Sequence, residues 1–301
     1  FALIGPLLLG HTTIMLNAKF SVEDTIRVLK DYQVTNFTGA PTVYRAIRAA
    51  GIPAETKEKL KLRVLSSAGE PLNPDISKWA EENLGAPIYD HYGQTEIGMV
   101  ICNHHHPELQ QPVKPGSMGV PMPGYRIVIL DEGGNELPPG HEGQVALDID
   151  HSPLYMFSGY YEDEKRTQER FSSDSRYYLT GDNASMDGDN YFYFSGRSDD
   201  IIISSGYRIG PFEVESALMK HQAVAETAVV GVPDEDRGEI VKAFIVLRSG
   251  YLPSEQLEND IKEFVKKNLS AHEYPRQIEF IDSLPKTPSG KIQRFLLRQN
   301  K

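Results

Sequence analysis

Short apolar runs and longer amphipathic segments alternate along the first third of the chain. The runs TTIML, VTNFTGA, LRVLSSAG and PIYD predict strands, and the segments between them, VEDTIRVLKDY, PTVYRAIRAAG and NPDISKWAEENLG, repeat apolar residues at helical spacing. Ser21 is the predicted N-cap of the first helix, Pro41 lies near the start of the second, and Gly51 follows its end. This alternation predicts part of a doubly wound parallel sheet, an α/β fold that binds ligands at the carboxyl ends of its strands.

The pattern changes near residue 113. Short β runs separated by Gly, Pro and Asn turns predict an antiparallel sheet or small barrel, and after Arg197 a helix, two strands around a charged loop and an amphipathic helix capped by Ser254 predict an α+β unit. We therefore expect three parts. They are the latter part of a large N-terminal α/β domain at residues 1–112, an antiparallel β-barrel-like subdomain at 113–198, and a mobile α+β C-terminal domain at 199–301.

Composition narrows the class of protein. The chain has 301 residues and a formal net charge of -11, which argues against a nucleic-acid partner because phosphate backbones require clustered Lys and Arg. A single cysteine, Cys102, is compatible with a reducing compartment. The opening FALIGPLLLGHTTIML has no basic start and is too short and too polar to span a bilayer. We read it as the interior of a core, so we expect the chain to be the latter portion of a longer protein.

Two polar stretches follow predicted strands, SSAGEPL and YDHYGQTE. In the second, Tyr92 is able to stack on a flat base, Thr95 to donate to a phosphate, and Glu96 to hold Mg²⁺ through its oxygens. For any single residue, a core tyrosine beside a capped helix start is the better explanation. The set favours a nucleotide site.

Three further stretches carry weaker signals. Asp182 in YLTGD and Arg197 in SGRSDD are able to accept from and donate to a sugar diol, although either is also typical of a turn. TPSGK taken alone is better explained as a flexible loop and lacks the spacing of a P-loop, but its lysine is able to reach a phosphate or carboxylate as a point charge. The consecutive histidines of NHHHPE do not share the spacing of a ligand face, so we expect a solvated loop there.

Five stretches together, SAGEPL, YDHYGQTE, YLTGDNA, GRSDDIIISSGYRIGPFEVE and LPKTPSGKIQR, resemble the ordered motifs of the adenylate-forming superfamily over the whole chain. This superfamily contains acyl-CoA synthetases, firefly luciferase and peptide-synthetase adenylation domains, and the sequence is most similar to medium-chain acyl-CoA synthetases and acetyl-CoA synthetase relatives. The resemblance implies an ATP-dependent acyl-CoA synthetase acting on short- or medium-chain fatty acids, with Mg²⁺. A carboxylate attacks the α-phosphate of ATP, and CoA then displaces AMP from the acyl-adenylate.

The resemblance also implies roles for individual residues. Lys291 matches the lysine that stabilises charge during adenylation, Glu96 the Mg²⁺ ligand, and Asp199 the hinge between two orientations of the C-terminal domain. Residues implied in nucleotide binding are Gly69, Glu70, Pro71, Asp90, His91, Tyr92, Gly93, Gln94, Thr95, Asp182, Arg197 and Arg208. Residues implied in CoA binding are Ser205, Gly206 and Tyr207, with Arg237 and Lys266 supported by loop position only.

Gly93 stands where a tryptophan closes the acyl pocket of acetyl-CoA synthetases that this sequence resembles. A glycine there predicts a deeper pocket, and the alternative is that Gly93 only permits a special backbone angle.

The family's N-terminal phosphate loop is absent, which implies a missing N-terminal part of the same enzyme and an isolated chain without activity. An adenylation domain that loads a carrier protein, an aryl-CoA ligase, and a non-catalytic nucleotide-binding or interaction module remain open. We expect a cytoplasmic location, or the mitochondrial matrix in a eukaryote.

Overall fold

A computed structural model describes residues 3–17, 20–270, 272–287 and 292–299. Two compact units divide the chain: unit 1 is Phe1–Gly93 with Ile101–Gly119, and unit 2 is Gln94–Val100 with Val120–Lys301. The predicted division into three parts stays a prediction, although unit 2 contains two separate sheets.

Unit 1 contains the parallel sheet. Its elements are α1 (Ile4–Leu8), α2 (Val22–Asp31), β1 (Asn36–Thr38), α3 (Pro41–Ala50), α4 (Ala54–Lys57), β2 (Val64–Ala68), α5 (Pro74–Leu84), and most of β3 (Ile88–Gln94), with the end of β4 (Gly98–Cys102). Strand β2 lies between β1 and β3 and is parallel to both, with Leu65 opposite Phe37 and Ile88. The predicted parallel α/β sheet is confirmed.

Local sequence signals start and end these helices as expected. The Ser21 hydroxyl accepts a hydrogen bond from the Asp24 amide at 3.2 Å, which caps α2. Pro41 occupies the first turn of α3, and Gly51 ends that helix with φ of 75°, a backbone region that favours glycine. Apolar residues of α3 and α5 pack against β2 and β3 in one core cluster of Tyr44, Leu65, Leu72, Ile76, Ala80, Leu84, Ala86 and Ile88.

Two predictions for this part of the chain are wrong. Residues 12–16 form no strand, and the side chains of Ile14, Met15 and Leu16 are exposed. A strand requires a ladder of backbone hydrogen bonds with a neighbouring strand, and among the described residues no strand pairs with residues 12–16 in this way. The fourth strand was predicted as PIYD, with the polar residues after it beyond the strand end, whereas β3 continues through His91, Tyr92 and Gly93 to Gln94. A three-residue turn follows, and Gly98 with φ of 75° opens β4, as in three-residue hairpin loops.

Unit 2 begins with an antiparallel sheet. The two-residue strand β5 (Val120–Pro121) precedes this sheet and is not part of it. The sheet and the helix between its strands are β6 (Arg126–Leu130), β7 (Glu142–Asp148), α6 (Glu164–Gln168), β8 (Tyr177–Met186) and β9 (Phe192–Arg197). Strands β6 to β9 pair in chain order, each antiparallel to the next. Because β6 and β9 are the two edges of this order, the described strands form an open sheet, which is one of the two forms that the turn pattern predicts.

The second sheet of unit 2 and the helices packed on it form an α+β arrangement, as predicted. Its elements are β10 (Ile202–Ser204), β11 (Tyr207–Ile209), α7 (Pro211–Leu218), β12 (Val224–Asp234), β13 (Gly238–Leu247), α8 (Glu255–Asn268), β14 (Gln277–Phe280) and α9 (Arg294–Gln299). The strand order is β11-β10-β13-β12, with β14 parallel to β13. Val214 of α7 and Ile261 of α8 share one core cluster with the sheet. Ser254 caps α8, since its hydroxyl accepts from the Leu257 amide at 3.2 Å.

Among the described residues, we find no helix with the length and apolar character that crossing a bilayer requires.

Candidate functional site

The first polar cluster lies in unit 1, where β2 and β3 end. Gly69, Glu70 and Pro71 follow β2 directly, and Gly69 turns the chain with φ of 92°. Arg45 of α3 donates to the Glu70 carboxylate at 3.0 Å, and the two side chains are only 23% and 13% exposed. The protein itself therefore neutralises and orients Glu70. Sequence reasoning missed Arg45, because a charged residue in an amphipathic helix carries no separate signal.

Alternation along β3 divides the stretch DHYG between two faces of the sheet. Asp90 and Tyr92 are 5% and 9% exposed, whereas His91 and Gly93 lie on the opposite, half-buried face. Burial raises the pKa of Asp90 well above its ordinary value, which favours a neutral carboxyl group. Asn103 fixes this part of β3, since its backbone and side-chain amides both donate to the Asp90 carbonyl, at 3.1 and 3.0 Å.

The prediction of a solvated loop at NHHHPE is correct for His106, which is exposed, and wrong for His105. The Nε2 of His105 lies 3.2 Å from the Ser66 hydroxyl and 3.3 Å from the Nε2 of His91. The ring of His105 also contacts that of Tyr89, with the centroids 4.3 Å apart and the planes tilted by 40°, and these contacts leave His105 half-buried. Burial, followed by the neighbouring histidines, lowers the pKa of His91 to about 4, so this imidazole is neutral at physiological pH.

The histidine pair is poorly built as a metal site. A ligating imidazole normally donates its second N–H to a partner, and the Nδ1 atoms of His91 and His105 are buried with no such partner in the described structure. In the part of the chain that the structure describes, no group of three or more His, Cys, Asp or Glu side chains is arranged to hold a metal ion.

The second polar cluster lies in unit 2, around Asp182 of β8. Asp182 stands opposite Arg197 of β9 in the antiparallel ladder, and their side chains approach to 3.7 Å. The Gln94 amide donates to the Asp182 carboxylate at 2.8 Å and to the Thr180 carbonyl at 2.9 Å, while the Tyr178 hydroxyl donates to the Gln94 side-chain oxygen at 3.1 Å. Three predicted residues, Gln94, Asp182 and Arg197, are thus brought together.

The two charged side chains of this cluster differ in their exposure to solvent. The Asp182 side chain is 8% exposed and the Arg197 side chain 47%. A nearly buried acceptor held by Gln94, beside a half-exposed donor, suits a vicinal diol, which both donates and accepts hydrogen bonds. Tyr178 was missed by sequence reasoning, although it lies only four residues before Asp182 in the same strand.

Thr95 and Glu96 occupy the turn between β3 and β4. Thr95 is exposed, and the half-buried Glu96 accepts a hydrogen bond from the Tyr160 hydroxyl at 2.7 Å. The donor set fits Mg²⁺, which proteins bind through one or two carboxylates together with substrate phosphates and water. No sequence signal in SGYYEDEK indicated a link between Tyr160 and this turn.

The remaining predicted residues of unit 2 lie in separate surroundings. Arg197 donates to the predicted hinge residue Asp199 at 3.0 Å, and Arg208 pairs with Glu132 at 2.9 Å. Ser205, with φ of 51°, accepts from Arg237 at 3.2 Å, so two residues predicted to bind CoA are in contact.

The other residues predicted to bind CoA have different neighbours. Gly206, with φ of 83°, precedes Tyr207, whose ring stacks on His272 at 4.2 Å. Lys266 of α8 pairs with Glu263 at 3.5 Å. The predicted catalytic residue Lys291 lies outside the described residues.

The fold defines an α/β protein with polar residues at the ends of its parallel strands, and unit 2 contains two further sheets. A family model described as AMP-binding enzyme matches residues 1–161, and one described as AMP-binding enzyme C-terminal domain matches residues 213–291. The chain belongs to the AMP-binding enzyme family.

Similar proteins carry related names. The chain is 45% identical to the human mitochondrial acyl-coenzyme A synthetase ACSM4, over 93% of this chain and 48% of that protein. It is 43% identical to the acetyl-coenzyme A synthetase of Bacillus subtilis, over 99% and 51%. A solved structure of the anthranilate CoA ligase AuaEII in complex with anthranoyl-AMP is 34% identical, with a TM-score of 0.86, over 99% of this chain and 56% of that one. The chain spans about half the length of the curated relatives it matches.

Proposed function

We propose that this chain is part of an AMP-forming acyl-CoA synthetase that works with a preceding N-terminal part of the same protein. The observation that carries the proposal is the nearly buried Asp182 carboxylate, held by Gln94 at 2.8 Å and paired in register with Arg197, in a member of the AMP-binding enzyme family. This arrangement supports binding of the ribose diol of ATP and AMP. Glu70 and the last residues of β3 are assigned to the adenine pocket.

The reaction has two steps. The carboxylate oxygen of the acid attacks the α-phosphorus of ATP, the bond to the β-phosphate oxygen breaks, and pyrophosphate leaves. The CoA thiol, after losing its proton, then attacks the acyl carbon, and AMP leaves. Lys291 is assigned to the charge that develops in the first step, and Ser205 with Arg237 to CoA in the second. Mg²⁺, when bound at Glu96, supplies charge neutralisation at the phosphates.

The acid is assigned as a short- or medium-chain fatty acid. Gly93 lies within β3, whose extended backbone any residue is able to adopt, so a special backbone angle does not account for this glycine. We therefore explain the glycine by its lack of a side chain, and the space left by the missing side chain favours a deep acyl pocket. The location that we assign is the cytoplasm or the mitochondrial matrix, and the name of the human relative includes the word mitochondrial.

Nucleotide recognition is tested by calorimetry on the complete protein that contains this chain. Wild type should bind AMP more tightly than 2′,3′-dideoxy-AMP. Asp182→Asn should weaken AMP binding by about 10- to 100-fold, as expected for hydrogen bonds to a charged group, and should abolish the preference for the diol. The matched control is Asp150→Asn, since Asp150 is exposed. Equal affinity of wild type for both nucleotides would refute the assignment of Asp182.

The reaction is tested by acid-dependent exchange of pyrophosphate into ATP, followed by AMP release on addition of CoA. Acetate, butyrate, octanoate and benzoate separate the fatty-acid assignment from an aryl-CoA ligase. Exchange that is followed by no AMP release with CoA would favour an adenylation domain that loads a carrier protein. ATP binding with no exchange for any acid would favour the non-catalytic nucleotide-binding module.

A further inference from the structure

Tyr160 is linked to the turn between β3 and β4 by one short hydrogen bond. Its hydroxyl donates to the Glu96 Oε1 at 2.7 Å, across 64 positions of sequence within unit 2. The bond joins a neutral donor to a carboxylate, a combination that is stronger than a bond between neutral groups. Tyr160 lies in none of the five motif stretches, so its contact with the candidate Mg²⁺ ligand is a finding of the tertiary structure.

The Tyr160 ring is fixed by its own neighbours. Its backbone amide donates to the Thr167 hydroxyl at 2.8 Å, and that hydroxyl donates to the Asp163 carbonyl at 2.8 Å. The Arg166 guanidinium lies over the ring, 4.2 Å from its centroid, and the Phe157 ring meets it edge-on at 5.2 Å. The phenol is therefore held by contacts of its own backbone and ring in addition to its bond to Glu96.

Mg²⁺ requires near-ideal octahedral geometry at 2.0–2.1 Å, so a carboxylate ligand must be aimed correctly. Glu96 lies in a turn, where a glutamate side chain has several rotamers to lose. The bond to Tyr160 selects one of them and engages Oε1, which leaves Oε2 as the oxygen that we assign to the ion.

We propose that Tyr160 is the positioning residue of the Mg²⁺ site, acting through Glu96 without touching the reactants. This inference rests on the proposed function. Substitution by phenylalanine isolates the interaction, because it removes the O–H and keeps the ring that packs on Arg166 and Phe157. The adjacent Tyr161 is 90% exposed and provides a matched control for the same substitution.

The experiment measures Mn²⁺ binding to the complete protein by electron paramagnetic resonance, with Mn²⁺ as the probe for Mg²⁺ and with pyrophosphate present. Tyr160→Phe should weaken Mn²⁺ binding by about 10- to 100-fold, the range typical of lost outer-shell partners. AMP binding without metal should stay unchanged, and Tyr161→Phe should match wild type in both. In pyrophosphate exchange, the Mg²⁺ concentration at half-saturation should rise for Tyr160→Phe, with the rate recovered at high Mg²⁺.

A double variant separates positioning from folding. Glu96→Gln removes the charged oxygen, so adding Tyr160→Phe should weaken Mn²⁺ binding no further. Unchanged Mn²⁺ binding in Tyr160→Phe would overturn the proposal. Equal weakening of Mn²⁺ and metal-free AMP binding would also overturn it, since that is the result of general disruption. Failure of wild type to exchange pyrophosphate would refute the proposed function, and the Mn²⁺ measurement would still decide the role of Tyr160.

Discussion

An enclosed ion pair joins α9 to α7 in unit 2, and breaking it should loosen this part of the protein. Arg294 donates to both carboxylate oxygens of Glu215 at 2.8 Å, and the Val229 amide donates to the same carboxylate at 2.9 Å. The Glu215 and Arg294 side chains are 11% and 23% exposed. Arg294→Gln therefore leaves a largely buried carboxylate with one backbone donor in place of a full countercharge.

Removing one partner of a buried pair costs about 3–5 kcal/mol, because the remaining charge is uncompensated. Arg294 is partly exposed, so we expect the lower end, about 3 kcal/mol, which corresponds to roughly a 100-fold change in an opening equilibrium. Glu215→Gln should cost less, because an amide oxygen still accepts from Val229. The double variant Glu215→Gln with Arg294→Gln should recover part of the loss, since no charge remains buried without a partner.

Native-state hydrogen–deuterium exchange locates the effect. Peptides from α7 and β12 should exchange about 100-fold faster in Arg294→Gln, in proportion to the weakened equilibrium. The control is Lys262→Gln, which removes an i,i+4 pair with Glu258 at 2.6 Å and should change stability by about 0.5 kcal/mol or less. Unchanged exchange in α7 and β12, or a double variant as destabilised as the sum of the single variants, would refute the reasoning.

Three further predictions follow from other parts of the chain. Burial raises the pKa of Asp148, but hydrogen bonds from one histidine and two arginines outweigh burial and bring this pKa down to about 2. The stability that Asp148 contributes is therefore present above the unfolded pKa of about 3.9 and is lost as the pH falls towards 2. Asp148→Asn should remove about 2 kcal/mol of this acid dependence from urea unfolding, and an unchanged profile between about pH 2 and 4 contradicts it. In the complete protein, Gly93→Trp should lose pyrophosphate exchange with butyrate through octanoate, at about 0.8 kcal/mol for each methylene group excluded from the pocket, and should keep exchange with acetate. Gly93→Ala should keep exchange with every acid. Equal loss with all acids in the alanine variant would favour the backbone explanation. Lys291→Ala should slow adenylation by about 10²–10³ and spare thioester formation from pre-made acyl-adenylate, and equal loss in both steps would remove its assigned role.

Several elements were predictable because their signals are local. Ser21 and Ser254 cap helices α2 and α8 with their own hydroxyls, within three residues of each cap. The hairpin of β12 and β13 follows from two apolar runs around a charged loop. The parallel order of β1, β2 and β3 follows from strands separated by helices, since such strands are joined by crossovers.

Other elements were not predictable because a neighbour decides them. The run at residues 12–16 has strand-like residues, yet no partner strand completes a ladder within the described chain. In β3, the ladder to β2 pairs Ala68 with His91, so polar residues expected beyond the strand end are part of it. His105 was placed in a solvated loop, and its contacts with Ser66 and Tyr89 are distant in sequence.

The sequence by itself determined the α/β class and the order of the motifs, and it predicted most of the polar residues that are assigned to the candidate site. Residue type and spacing carry that information, because caps, turns and hydrophobic periods act over a few positions. Only the tertiary structure decided that Gln94 holds Asp182, that Arg45 neutralises Glu70 and that Tyr160 holds Glu96. Each of these contacts joins residues more than twenty positions apart, and only packing of the whole unit brings such side chains within hydrogen-bonding distance.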